Sequence, residues 1–231
     1  MLHIVLDRTS HPGNIGSVAR AMKTTGFDRL ILCQPKEFPS EQANKMATHG
    51  LGIIQNAQVV QNLDMCLNQM DLVFACSKRP RDLQIDHYHP RAAAGFIKGA
   101  LNKDHQVALL FGNETSGLSN ETIERAHAVI EIPMYDFNDS LNLSHAVQVI
   151  LYEVFITPDN HVSIPQNQMP EADEKICFES HFQQILQRKG LIKHNSTWPK
   201  IRCMLRRLRP DRRELQLLFG LLTSENPVEK K

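Results

Sequence analysis

Short apolar runs alternate with segments of helical spacing along most of this chain. The runs HIVL (3–6), RLILC (29–33), QVV (58–60), LVFAC (72–76), VALLF (107–111) and AVIEI (128–132) read as strands. Between them SVARAMKTTG, SEQANKMATHG, LDMCLNQM and PRAAAGFIKGAL have helical spacing. Such alternation predicts parallel β/α units, an α/β fold with a parallel sheet flanked by helices. The last unit, SLNLSHAVQVILYEVF, is apolar almost all round and reads as a helix packed deep or in a subunit interface. The pattern then stops. Residues 157–170, rich in Pro, Asn and Gln, read as a linker between a first domain, 1–156, and a small all-helical C-terminal domain, 171–231.

Composition narrows the function classes. The chain has 231 residues, 42% hydrophobic and 22% charged, which suits one core with a small appendage. A formal charge of only +1 rules out a global positive field, so any nucleic-acid partner must be argued from local clusters. The five cysteines are scattered without a C-x-x-C pair, which fits a reducing, cytoplasmic setting better than a disulfide framework or a structural zinc site. The N-terminus carries no secretory pattern and no window approaches the ~18 apolar residues of a membrane span, so a soluble, unexported protein is expected.

Three stretches carry candidate chemistry. In HPGNIGSVARAMKTTGF, Gly13 and Gly16 flank Asn14 at a turn after the first strand, where glycine permits close approach of another chain or a ligand; the helix is expected to begin at Ser17. Arg20 then stands near the helix start, turned away from the side shared by Val18, Met22 and Thr25, and can meet an anion or pair with a surface carboxylate. The G-x-x-G spacing lacks the dinucleotide fingerprint. In VALLFGNETSGLSNE, the run from Gly112 through Asn113 and Glu114 to Gly117 follows a strand, and a new helix begins near Ser119. This loop can offer backbone N–H groups and a carboxylate to a small molecule, or be a polar turn with a helix cap. It is not a phosphate-transfer loop, since Leu118 stands where that motif needs lysine. In IPMYDFNDSLNLSHAVQV, Ser140 can cap the final helix, with Asn142 in its first turn.

Taken in order and spacing, NIGSVAR, LFGNETSGL and SLNLSHAV resemble motifs one, two and three of the SPOUT superfamily, in its SpoU/TrmH-like branch of RNA ribose 2'-O-methyltransferases. The resemblance covers about residues 1–156. The helical tail is similar to that of the branch members that methylate nucleotide 32 of the tRNA anticodon loop, whereas minimal tRNA methyltransferases of the branch lack one. It implies a fold with a C-terminal trefoil knot, an obligate homodimer through the knotted domain, and S-adenosylmethionine bent into the knot. Cofactor contacts are then expected from Cys76, Ser77 and Lys78, from Gly112, Asn113, Glu114 and Gly117, from Ile132, and from Ser140, Leu141 and Asn142. The catalytic set it implies is Arg20, Asn14, Glu114, Ser140 and Asn142. Arg20 binds substrate phosphate and stabilises the developing alkoxide, Asn14 holds Arg20 or the RNA backbone, and Glu114 orients the arginine. No metal is expected; His87 and His89, an H-x-H without a nearby carboxylate or cysteine motif, read as surface histidines.

The tail has its own signal. In KIRCMLRRLRPDRRE seven of fifteen residues are basic. Ile201, Met204, Leu205 and Leu208 recur at helical spacing, while Arg202, Arg206 and Arg209 share another face that reads as an RNA-phosphate patch or a solvated surface.

Overall fold

The computed structural model describes residues 1–78, 85–135, 140–159, 172–192, 194, 197–208, 210 and 212–223. It falls into two compact units, Met1–Ile164 and Pro165–Lys231. The first is built on a parallel sheet of seven strands: β1 (Leu2–Asp7), β2 (Arg29–Cys33), β3 (Gln58–Val60), β4 (Leu72–Cys76), β5 (His87–Tyr88), β6 (Val107–Phe111) and β7 (Ala128–Ile130). Their order is β3-β2-β1-β6-β4-β7-β5. The central strands are buried on both faces, which is why they read as unbroken apolar runs rather than alternating ones. One face packs Val5, Ile31, Val73, Ala75, Leu110 and Val129 against Cys66 and Leu67 of α4 (Leu63–Leu67) and Ile123 of α6 (Asn120–Ile123). The alternate residues, Ile4, Leu6, Leu32, Phe74 and Leu109, are buried as fully and point the other way. That face is left to α1 (Pro12–Thr25), α5 (Pro90–Leu101) and α7 (Leu143–Ile156), with α7 packed on both α1 and α5.

Several boundaries differ from the sequence reading. Helix α1 begins at Pro12 rather than Ser17, because proline at the first helical position has its φ already set and no N–H to satisfy. Gly13, Asn14 and Gly16 are therefore helical. Gly16 is small for a reason inside the fold: a Cβ there would stand 2.1 Å from the carbonyl oxygen of Ala43 on α2 (Glu41–Ala47). The expected helix over 40–50 breaks at Thr48, whose φ is +47°, into α2, a 3-10 turn at Thr48–Gly50 and α3 (Leu51–Gln55). Strand β5 is only two residues long, and its sequence carries no apolar run. Strand β7 ends at Ile130, two residues before Ile132.

The second unit holds α8 (Ala172–Arg188), α9 (Thr197–Leu208) and α10 (Arg212–Thr223). Helix α8 closes in a Schellman motif: Leu191 N–H bonds Leu186 O at 2.9 Å and Gly190 N–H bonds Gln187 O at 3.0 Å, with Gly190 at φ +67°. Phe182, Leu186 and Leu205 form its core with Trp198, Ile201 and Leu218 packed around them. The apolar stripe expected on α9 is thus divided. Ile201 and Leu205 face the core, whereas Met204 and Leu208 are exposed. Arg202 is half-buried. The Arg206 side chain, Arg209 and most of the 157–170 linker lie outside the described residues.

Candidate active site

Strands β1 and β6 are neighbours, yet the segments that follow them leave in opposite directions, α1 towards β2 and the turn after β6 towards β7. Ligands of open α/β sheets bind in the crevice at such a reversal, beyond the carboxyl ends of the strands. Here that edge is stitched together by side chains. Glu114, on the turn after β6, accepts the N–H and the hydroxyl of Ser10 on Oε2 at 2.9 and 2.7 Å. Its Oε1 accepts Asn14 Nδ2 at 2.8 Å and, more weakly, His11 N–H at 3.4 Å. Asn14 Oδ1 accepts Asn142 Nδ2 at 3.0 Å, and Asn142 Oδ1 accepts the N–H and hydroxyl of Ser144 at 2.9 and 2.7 Å. All three motif segments therefore meet in one chain of hydrogen bonds.

This chain has a direction. The Ser144 N–H can only donate and the Glu114 carboxylate, when ionised, can only accept, so both asparagine amides between them are oriented without ambiguity. Burial disfavours charge on Glu114, but the bonds from Asn14 and Ser10 outweigh it and hold the carboxyl below its ordinary range. Donors from Ser10, Asn14 and His11 thus converge on the two oxygens of Glu114.

The turn itself is closed on its own atoms. Asn113 Oδ1 accepts the N–H of Thr115 at 2.9 Å and of Ser116 at 3.4 Å, Asn113 O accepts the N–H of Gly117 at 2.8 Å, and Asn113 Nδ2 donates to Arg8 O at 2.6 Å. A Cβ on Gly112 would lie 2.3 Å from the carbonyl carbon of Gly117, and Gly117 has φ +67°. These glycines thus let the turn fold back on itself, and the N–H groups of Thr115, Ser116 and Gly117 are taken within it.

Around this centre the register gathers the other expected residues. Cys76 pairs with Phe111 on one side and Ile130 on the other, and Ser77 N–H bonds Ile130 O at 3.2 Å. The stretch from Cys76 to Lys78, the turn from Gly112 and the segment reaching half-buried Ile132 therefore leave adjacent strands at the same edge. Burial pushes the Cys76 thiol well above its ordinary range, so it is neutral and no nucleophile. Asn142, not Ser140, caps α7; Ser140 and Leu141 precede it, both exposed.

Arg20 departs from expectation. With α1 beginning at Pro12 it lies more than two turns along the helix, exposed, and its guanidinium has no hydrogen bond or ion pair among the described residues. Glu114 and Asn14 are bonded to one another and to Ser10 and Asn142, with no bond from either to Arg20 among the described residues. Sequence reading passes over Ser10 and Ser144, whose partners lie far away or inside a cap. It also misses Glu131, whose Oε2 stands 3.2 Å from His87 Nδ1. Among the described residues, no group of three or more His, Cys, Asp or Glu could hold a metal.

Known proteins share this architecture. The family model described as SpoU rRNA Methylase family matches residues 1–152. The tRNA (cytidine/uridine-2'-O-)-methyltransferase TrmJ of Pectobacterium atrosepticum is 37% identical over 232 residues, covering 96% of this chain and 95% of that protein. The crystal structure of TrmJ from Z. mobilis ZM4 superposes with a TM-score of 0.79 at 27% identity, over 96% of this chain and 98% of its own. A protein whose structure gave insights into the 2-OH methylation of C/U34 on tRNA aligns with a TM-score of 0.54 at 28% identity, over 67% of this chain and 94% of its own. With its three motif segments meeting at one sheet edge and the family match spanning the whole sheet, the chain belongs to the SpoU methylase family within the SPOUT fold.

Proposed function

We propose that this protein transfers a methyl group from S-adenosylmethionine to the 2'-hydroxyl of a cytidine or uridine ribose in tRNA. The observation that carries the reading is the joining of Asn14, Glu114 and Asn142 at the carboxyl edge, in a chain that resembles TrmJ proteins along 96% of its length, tail included. Nucleotide 32 is the favoured position, because the protein tied to C/U34 aligns with only 67% of this chain. Position 34 is the second reading.

The cofactor site is assigned to the strand ends. Cys76 with its neutral thiol, half-buried Ile132 and exposed Leu141 are uncharged, and no lysine stands in the turn from Gly112 to Gly117. Apart from Lys78 and Glu114 this wall is uncharged, which suits an adenosine bearing a sulfonium. When bound, S-adenosylmethionine supplies an electrophilic methyl group. The chain's own work is to place the ribose hydroxyl in line with it. Arg20, permanently charged and unpaired among the described residues, binds the neighbouring phosphate and stabilises negative charge growing on the ribose oxygen. Glu114 holds Asn14 and takes no proton, since its oxygens are occupied and its carboxyl is held in the charged form.

Assembly and tail complete the proposal. Helix α7 buries Val147, Ile150, Leu151 and Val154 and leaves Val149, Tyr152, Phe155 and Ile156 exposed. That outward apolar row supports a homodimer, with the chain end of the sheet domain knotted as in the resembling enzymes. The 171–231 segment is assigned phosphate contacts.

The test is direct. The protein, radiolabelled S-adenosylmethionine and unmodified tRNA transcript should give label in a 2'-O-methylated pyrimidine nucleotide at 32. Label at another tRNA nucleotide would move the target; label in ribosomal RNA alone, or none, would overturn the reading.

A further inference from the structure

Ser10 lies in the short segment between β1 and α1, and no motif gives it a part. In the structure it is the principal anchor of Glu114. Its N–H and its hydroxyl reach across 104 positions of sequence to one carboxylate oxygen, at 2.9 and 2.7 Å. Asn14 holds the other oxygen. A carboxylate tied by one oxygen is free to rotate about its last single bond, whereas one tied at both oxygens from different directions has its plane fixed.

The consequence runs outward from that plane. Asn14 can keep Oδ1 towards Asn142 only while Glu114 presents an acceptor to its Nδ2, and Asn142 in turn caps α7 through Ser144. We infer that Ser10 is a positioning residue for methyl transfer, fixing the Glu114 carboxylate and through it the Asn14 amide beside the reacting groups. This rests on the methyl-transfer reading above. In this role Ser10 acts through Glu114, on which both its donors are spent.

Two substitutions in the full chain separate positioning from mere packing. Ser10→Ala deletes the hydroxyl and leaves the N–H; Ser10→Thr keeps both. The single-turnover rate with tRNA should fall about tenfold in Ser10→Ala, as expected for one charge-assisted hydrogen bond. The calorimetric Kd for S-adenosylmethionine should stay within about twofold, and Ser10→Thr should recover most of the rate. In a Glu114→Ala background, adding Ser10→Ala should change the rate less than about twofold, since the partner is gone. A Ser10→Ala rate equal to wild type, equal losses in both backgrounds, or no recovery in Ser10→Thr would each overturn the inference. A wild-type protein that transfers no methyl to tRNA would instead overturn the reading of function, and this inference with it.

Discussion

The turn after β6 and the helix after β1 meet through Glu114, yet they treat their polar groups in opposite ways. In the turn, Asn113 takes up the N–H groups of Thr115, Ser116 and Gly117, and Glu114 is filled by Ser10, His11 and Asn14. On the helix, Arg20 stands exposed with its charge uncommitted among the described residues. The first arrangement fixes geometry; the second leaves a cation available and fixes nothing. A site assembled this way divides labour: the closed turn holds shape, and the open helix supplies the charge that meets RNA.

The largest effect that tests this division comes from Arg20→Ala. Transfer should fall about a hundred- to a thousandfold, while the melting temperature and the affinity for S-adenosylmethionine remain close to wild type, because the guanidinium holds nothing among the described residues. A large loss of cofactor affinity, measured by calorimetry, would mean that Arg20 serves the cofactor side and would erase the contrast.

Next in size is Gly112→Ala. The added Cβ meets backbone of Gly117 and Leu118 at 2.3 to 2.6 Å, overlaps that no side-chain rotation relieves. The turn should open, with about 1 to 3 kcal/mol lost from unfolding by denaturant and cofactor affinity reduced at least tenfold. Wild-type stability would show that the turn is softer than its packing indicates.

Glu114→Gln sharpens the comparison more finely. The amide is nearly isosteric but brings a donor to a place where every neighbour also donates, so a bond fails at Ser10 or, with the amide turned over, along the row from Asn14 to Ser144. A cost of about 1 to 3 kcal/mol follows. The pH dependence carries a separate sign. The Glu114 pKa is lower folded than unfolded, so its contribution is present above the unfolded value and disappears as pH falls through the folded value. Wild type should therefore lose more melting temperature than Glu114→Gln as pH is lowered through the carboxylate range. Parallel melting curves would mean that Glu114 is not preferentially stabilised as an anion.

The smallest effect belongs to the tail. Replacing Arg202, Arg206 and Arg209 by glutamine should weaken tRNA binding and flatten its dependence on log salt, by about 0.7 to 0.9 for each phosphate that is no longer neutralised. An unchanged slope in fluorescence anisotropy would return these arginines to the solvated surface. Half-buried Arg202 is the member whose replacement is also expected to disturb the helical unit.

Much of the architecture is written in local pattern. Strands β1, β2, β4 and β6 carry it in apolar runs rich in Val, Ile and Leu, and α5 in proline followed by amphipathic spacing. The start of α1 is not legible in this way, because Gly13 and Gly16 signal a turn by themselves, while the reason for Gly16 is Ala43 on another helix. Strand β5 exists only because β7 offers it an edge. At the site, the motifs locate Asn14, Glu114 and Asn142 but not their bonds, which join residues 100 and 128 positions apart. Whether Arg20 is paired or free is beyond local pattern for the same reason: its expected partner is already engaged by residues distant in sequence.

The direction of the chain from Ser144 to Glu114 has a further consequence for populations. A row of neutral amides with neutral ends is satisfied equally by two mirror-image donor patterns, and a protein would then divide its time between them. A main-chain N–H at one end and a carboxylate at the other abolish that symmetry. Reversing the row would set acceptor against acceptor at Glu114 and donor against donor at Ser144, where the cap is forfeited. Two such mismatches at about 1 to 3 kcal/mol each leave the reversed state at a few per cent at most. The apo protein therefore waits in one microstate, and a ligand arriving at the sheet edge need not select it from a mixture.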